Sequence, residues 1–206
     1  MFAEPVERLI AALKDFPGIG RKTAERLAFH ILVSERDKAL GLAEAIRDVK
    51  EKVHPCSRCF NITAQDPCRI CADDSREADV LCVVEQPRDV LAIESMGLYR
   101  GRYHVLLGAV SLLDGVGEAD LTIAPLIKRV KREGFREVIL ATEPTVDGDM
   151  TALTIQRKLR KVPKVTVSRI ARGLPTGSSL ERVSKAILAD ALETRRRFRD
   201  EADAGD

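Results

Sequence analysis

Four cysteines in two closely spaced pairs constrain this chain more than any other feature of its sequence. Cys56 and Cys59 form one Cys-x-x-Cys pair, and Cys68 and Cys71 form a second pair after an interval of eight residues. Each pair can place two thiolates on one tetrahedral ion from a tight turn, and the short interval lets the two turns meet around that ion. We therefore expect one structural zinc ion held by all four thiolates. Two disulfides and an iron–sulfur centre are the alternatives.

A four-cysteine zinc site is closed, because no coordination position is left for a substrate. Its predicted role is to supply folding energy to residues 54–79, a segment without an apolar periodicity of its own. The fifth cysteine, Cys82, lies within an apolar run and is predicted to be an ordinary core residue.

Composition and charge exclude several broad classes. The 206 residues are 45% hydrophobic and 32% charged, which predicts a folded chain of one to two domains rather than disorder. No run approaches the ~18 uninterrupted apolar residues of a membrane-spanning helix. The first residues show no basic stretch followed by an apolar one, so we expect a cytoplasmic protein. The net charge of +2 excludes a strongly basic protein that binds nucleic acid through its overall charge. The charge is unevenly distributed, since residues 80–150 carry −3 and residues 151–206 carry +6.

The first predicted domain, residues 1–53, is helical. Apolar residues recur three times at the spacing of a helix face, and a turn rich in glycine separates the first two stripes. The stripes are Val6, Leu9, Ile10 and Leu13; Ala24, Leu27, Ala28 and Ile31; and Leu42, Ile46, Val49 and Val53.

The predicted third domain, residues 80–172, has the pattern of an α/β fold with a mostly parallel sheet. Short apolar runs alternate with amphipathic stretches, which is typical of consecutive βα units. The strands are expected at 80–84, 104–107, 138–141 and 164–170, and the helices at 89–96, 125–132 and 150–161.

Residues 173–206 are predicted to form a C-terminal segment with one helix, a subunit contact and a frayed polar tail. The apolar face of the helix would carry Leu180, Val183, Ile187, Leu188, Ala191 and Leu192, with Ser178 or Ser179 as its N-cap. The glycines at 173 and 177 lack the spacing and the lysine of a phosphate-binding loop, so we expect a plain structured turn there.

The glycine turn at residues 18–20 is the first candidate binding site. Such a turn can direct backbone N–H groups at a phosphate beside the positive end of the following helix, whereas a plain helix-joining turn is the alternative. Together with its flanks, residues 13–28, the turn resembles the helix-hairpin-helix motif, which binds the DNA backbone independently of sequence. The resemblance implies that Arg21, Lys22 and Arg26 contact DNA.

Acidic residues follow two of the predicted strands and form the second candidate site. Glu85 follows the first strand, and Glu143 and Asp147 follow the third, where ligands bind in open α/β sheets. The arrangement resembles the Toprim domain of topoisomerases and primases, whose acidic residues carry metal and acid–base chemistry. Thr145 stands where that pattern has its middle acid. We therefore expect at most weak magnesium binding and no catalysis, and we interpret the three acids as a surface that binds a basic protein partner.

The order of these elements resembles the RecR family of bacterial recombination mediators. The segments most similar to the family include residues 16–26, 59–63, 99–106, 115–117 and 169–177. The resemblance implies a non-enzymatic DNA repair protein, assembled as a ring-like tetramer, that clamps DNA and acts with RecO and RecF to load a recombinase at single-stranded gaps. It assigns RecO contact to Glu143, Asp147 and Glu85. The alternative is a metal-dependent Toprim nuclease or primase-like enzyme.

Overall fold

The computed structural model describes residues 2–195. The chain divides between His54 and Pro55 into two compact units.

The N-terminal unit consists of three helices: α1 (Glu4–Lys14), α2 (Arg21–Val33) and α3 (Arg36–Lys52). The first two predicted stripes meet, because Ile10 of α1 packs on Ala24 and Ala28 of α2 and all three are buried. Two alanines one turn apart leave room for the isoleucine, so the helices approach closely. The third stripe forms α3 as predicted, but α3 has no buried residue within its unit.

The cysteine segment begins at the boundary between the two units and has little regular structure. Its elements are a two-stranded sheet of β1 (His54–Pro55) and β2 (Ile62–Thr63) and one helical turn, α4 (Arg69–Ala72).

A four-stranded sheet follows in the second unit, and it alternates with helices as the sequence predicts. In chain order the elements are β3 (Val80–Val84), α5 (Pro87–Ser95), β4 (Arg102–Val105), α6 (Ile123–Glu133), β5 (Glu137–Ala141), α7 (Val146–Leu159), β6 (Thr166–Arg169) and α8 (Lys185–Glu193). The strand order is β4-β3-β5-β6, and every pairing is parallel. The α/β fold class is confirmed.

The central strand β3 explains how the cysteine segment is held. Leu81 and Val83 face a core formed with α6 and α7, while Cys82 and Val84 face a second core. That second core contains all four cysteines of the candidate zinc site. Because successive strand residues point to opposite faces, the cysteine segment covers one side of the sheet and α6 and α7 cover the other. This double coverage is why β3 is an unbroken apolar run.

The C-terminal segment departs from the predicted helix. Residues Leu180–Arg182 form a short 3-10 turn, and α8 begins only at Lys185. The prediction of Ser178 or Ser179 as its N-cap is wrong: Ser184 is the N-cap, and its hydroxyl accepts a hydrogen bond from the Ile187 backbone N–H. The expected turn at residues 173–179 is present, closed by a hydrogen bond from Ser178 N–H to the Pro175 carbonyl. The predicted frayed tail, residues 196–206, lies outside the described residues.

Candidate functional sites

The four cysteines Cys56, Cys59, Cys68 and Cys71 converge on one point. All four are buried, and their sulfur atoms lie within 4.8 Å of one another. The Cys59 and Cys68 sulfurs are 3.6 Å apart. A tetrahedral ion with zinc–sulfur bonds of about 2.3 Å separates its sulfur ligands by about 3.8 Å. The cluster therefore fits a structural zinc ion with four thiolate ligands.

The sulfur atoms contact one another within the cluster, and these contacts shift the thiol pKa values in opposite directions: the hydrogen bond with Cys68 raises the pKa of the Cys59 thiol. Hydrogen bonds from the Cys59 and Cys71 thiols lower the pKa of the Cys68 thiol. The Cys56 sulfur accepts a hydrogen bond from the Cys68 backbone N–H at 3.3 Å. Cys82 lies in the same apolar core, where burial raises the pKa of its thiol to about 12. Cys82 is thus a neutral core residue, as predicted.

The zinc element is fixed to the sheet by main-chain and side-chain contacts. The Val105 N–H of β4 donates a hydrogen bond of 2.8 Å to the Cys59 carbonyl. Arg58, between the first two cysteines, donates to the Cys71 carbonyl and reaches Glu133 of α6. The glutamate was not singled out by the sequence, because it lies 75 residues from its partner.

The glycine turn joins α1 to α2 in a conformation that requires glycine at one position. Gly18 has a φ of +78°, in the left-handed region that favours glycine. Gly20 is the N-cap of α2, and no side chain caps this helix end. Ile19 packs against the α1–α2 core, which fixes the turn. The first N–H groups of α2 are thus left for another acceptor.

The three predicted DNA-contacting residues lie in the first two turns of α2. Arg21 and Lys22 are exposed, and Arg26 is exposed one turn further on. Arg21 is engaged within the helix, since its Nε donates to Glu25 Oε1 at 2.9 Å. Lys22 and Arg26 make no side-chain hydrogen bond or ion pair with any residue in 2–195. Two cations that are unpaired in the described part of the chain therefore lie beside the open end of α2, one turn apart on one face.

The predicted acidic edge brings Glu85 and the 143–149 segment together. Glu85 is only 6% exposed, and its Oε1 accepts a hydrogen bond of 2.9 Å from the Glu143 N–H. Burial raises the pKa of the Glu85 carboxyl. Glu143 is exposed and pairs with Arg88 at 3.3 Å. Asp147 is half-buried in the first turn of α7, and its side chain makes no ion pair within the described part of the chain.

Gly148 is required where α7 passes close to the acidic edge. A Cβ at this position would stand 2.1 Å from the Glu143 carbonyl oxygen and 3.0 Å from Glu85 Oε1. Only glycine lets the start of the helix approach both groups.

Two neighbouring residues, Thr145 and Asp149, bind other parts of the chain, so their oxygen atoms are not free to bind a metal ion. Thr145 is the N-cap of α7, and its Oγ1 accepts a hydrogen bond of 3.0 Å from the Gly148 N–H. Asp149 pairs with Arg169 and Arg172, whose hydrogen bonds lower the pKa of its carboxyl, that of Arg172 most. Neither arginine was singled out as a partner of this acid by the sequence, because both lie at least 20 residues away.

Helical hairpin, four-cysteine zinc element and Toprim domain, in this order, define a modular recombination protein. Family models match each part in turn: the RecR helix-hairpin-helix over residues 6–50, the four-cysteine zinc finger domain of RecR over residues 53–73, and the Toprim domain over residues 79–171. The chain belongs to the RecR family, as its resemblance predicts.

Two relatives match the chain almost end to end. The chain is 50% identical to the Recombination protein RecR of Rubrobacter xylanophilus over 95% of this chain and 98% of that protein. It is 49% identical to the Recombination protein RecR of Rhodopirellula baltica over the same shares. None of the helices within residues 2–195 combines the length and apolar character that a membrane crossing needs.

Proposed function

We propose that this chain is a non-enzymatic recombination mediator of the cytoplasm. It binds DNA independently of sequence as a ring-like tetramer and acts with RecO and RecF to promote recombinase loading at single-stranded gaps. The observation that carries the proposal is that Lys22 and Arg26, beside the uncapped start of α2, have no ion-pair partner among residues 2–195. The domain matches and the relatives named Recombination protein RecR support the same role.

The proposed DNA contact is electrostatic. The free N–H groups at the start of α2 and the side chains of Lys22 and Arg26 would meet phosphates, and phosphate contacts carry no sequence information. Arg21 contributes less, because its guanidinium is already bonded to Glu25. A chain of net charge +2 suffices, since contacts from several copies of the chain add along the DNA.

The test is a salt titration of duplex binding. Each lost phosphate contact reduces the slope of log affinity against log salt by about 0.9. We expect that Lys22→Ala and Arg26→Ala each lower the slope by about one contact, with equal loss on unrelated sequences. Arg8→Ala is the matched control, because Arg8 is an exposed α1 arginine paired with Glu4. Unchanged binding in the Lys22→Ala/Arg26→Ala double variant would remove the hairpin from DNA contact.

The ring-like assembly has its own measurement. Molar mass in solution, with and without DNA, should correspond to four copies at working concentration. We propose that the C-terminal segment after residue 172 contributes to this subunit contact. A chain that stays monomeric with DNA contradicts a clamp.

The acidic edge is the proposed site for RecO. Glu143 and Asp147 would make the direct contact, since Glu143 is exposed and Asp147 is unpaired within residues 2–195. Glu85 is buried and accepts a hydrogen bond from the Glu143 N–H, so we propose that it positions the Glu143 backbone and does not itself contact RecO. Asp147→Lys should abolish RecO association and leave DNA affinity unchanged.

The alternative, a Toprim nuclease or primase-like enzyme, draws less support. The Toprim pattern has acids at positions 145 and 149. In this chain position 145 is a threonine that caps α7, and the acid at position 149 is already bound by two arginines. We propose at most weak magnesium binding by the remaining acids. Strand cleavage with magnesium or manganese that disappears in Glu85→Gln would favour the enzyme.

A further inference from the structure

A rigid hairpin follows β4 and carries two leucines in solvent. Ser111 and Val116 exchange two backbone hydrogen bonds, of 3.0 and 2.8 Å, which close a tight turn. Ser111 Oγ donates to Asp114 Oδ2, and Gly115 takes a φ of +68°. The base of the hairpin is anchored, since Val116 packs against the core of the sheet. The turn is therefore held without any help from the two leucines at its tip.

The two residues at the tip of this hairpin, Leu112 and Leu113, are 77% and 96% exposed. Single exposed leucines are ordinary on protein surfaces, whereas two adjacent ones on a fixed turn present a compact apolar knob. Burying each against a partner would remove apolar surface from water, which is favourable. The hairpin thus has the form of an interface anchor.

Hydrogen bonds connect the base of the hairpin to the acidic edge. The Val110 N–H donates to Thr151 Oγ1 at 2.8 Å, and that hydroxyl donates to the Asp147 carbonyl at 2.7 Å. The Gly108 N–H donates to the Glu85 carbonyl at 3.0 Å. The knob and the acids therefore belong to one edge of the sheet.

The charge around the knob determines what kind of partner it fits. Three acids, Asp114, Glu118 and Asp120, lie within or directly after the hairpin, and only Glu118 pairs with a cation, Lys158, within the described residues. A nucleic acid phosphate would be repelled here. An apolar pocket rimmed by lysine or arginine on a protein would match both the leucines and the acids.

We propose that Leu112 and Leu113 are the apolar anchor that seats this chain in such a basic-rimmed pocket of the protein partner at its acidic edge. The inference rests on the proposed function in one respect, because it takes that partner to be RecO. The leucines supply affinity by desolvation, and the surrounding carboxylates orient the partner and speed the encounter.

The experiment measures affinity for purified RecO with four forms of the full chain. These are the wild type, Leu112→Ala/Leu113→Ala, Asp147→Lys and the control Leu98→Ala. Leu98 is 83% exposed in the same unit but lies before β4, at the opposite end of that strand from the hairpin. We expect the double leucine variant to bind RecO at least tenfold more weakly and Leu98→Ala to change affinity less than twofold. DNA affinity, thermal midpoint and molar mass should be unchanged in both.

The outcomes separate the two proposals. A wild type that does not bind RecO overturns the proposed partner. Loss of binding in Asp147→Lys with normal binding in the leucine variant overturns the anchor and leaves the acidic edge standing. A leucine variant with altered molar mass would show that the hairpin joins copies of this chain, which also overturns the anchor.

Discussion

Glu133 at the end of α6 accepts a bidentate contact from Arg58, which lies between the first two zinc ligands, with both N–O distances at 3.4 Å. The same carboxylate also binds Arg129 at 3.3 Å and Arg132 at 3.0 Å, and Arg102 approaches to 3.8 Å. Burial by itself would raise the pKa of Glu133, but Arg132, Arg129 and Arg58 lower it. One carboxylate thereby ties the zinc element to the sheet and neutralises arginines from three parts of the chain.

Glu133→Gln should lower the free energy of unfolding by about 2–4 kcal/mol, because it leaves a nearly buried arginine without its counter-charge. Arg129 is only 3% exposed. The matched control is Glu118→Gln, which breaks an exposed pair with Lys158 and should cost less than about 1 kcal/mol. Urea unfolding of both variants makes the comparison, and equal losses would contradict a special role for Glu133.

The same carboxylate gives the fold a defined pH dependence. A carboxyl with a lowered folded-state pKa stabilises the fold above its unfolded pKa and loses that contribution as pH falls through the folded value. The stability difference between wild type and Glu133→Gln should therefore be full at neutral pH and shrink in acid. A difference that grows on acidification would exclude this mechanism.

Removing the metal should unfold the zinc element and expose the face of the sheet that it covers. Cys59→Ser, or a chelator on the wild type, should lower the thermal midpoint and cost several kcal/mol, because metal binding is folding free energy for such a segment. Cys82→Ala is the matched control: it removes a cysteine from the same core, should cost about 1–3 kcal/mol, and should keep one zinc per chain. Metal analysis and thermal unfolding measure both effects, and a metal-free, fully stable wild type would contradict the zinc site.

Much of the fold could be predicted because burial leaves a pattern in the sequence. The run Val80–Val84 is predicted at its observed bounds, since both faces of β3 are covered. The next strand is displaced: residues 104–107 are predicted, but β4 is Arg102–Val105. An apolar run indicates burial, whereas a strand is defined by its backbone hydrogen bonds. Arg102 is not apolar, but it is the strand partner of Leu81, so β4 begins before the apolar run.

The start of α7 shows a second limit of pattern reasoning. The helix is predicted from residue 150, but it begins at Val146 because Thr145 caps it and Asp147 and Asp149 suit the positive end of a helix. The four-cysteine cluster could be found from spacing alone, since its members are close in the chain. The arginines that bind Asp149 and the contact of Glu133 with Arg58 could not, because each of these pairs is closed only when distant elements fold together.

Glu85 is a buried carboxyl whose ionised form lowers the stability of the fold. Because burial raises its pKa, ionising this carboxyl costs more free energy in the folded chain than in the unfolded chain. Glu85→Gln can still accept the Glu143 N–H, so it should raise the thermal midpoint at pH 7 by roughly 1–3 °C, the equivalent of under ~1 kcal/mol. This advantage should vanish as pH falls, since wild type then binds a proton in the folded state. A lower midpoint at pH 7 would mean that the charge itself stabilises the edge.

Asp149 holds the C-terminal segment to α7 through the guanidinium of Arg172, which also lies 3.8 Å from Asp190 of α8. Asp149→Asn should therefore increase local opening of α8 more than it lowers the global stability of the unit. Because these side chains are partly exposed, global stability should fall by less than about 1.5 kcal/mol, while amides of Lys185–Glu193 should exchange roughly tenfold faster. Asp147→Asn is the matched control, in the same first turn but without an ion pair in the described chain. Equal exchange of α8 in the two variants, measured by hydrogen–deuterium exchange, would show that Asp149 does not retain the segment.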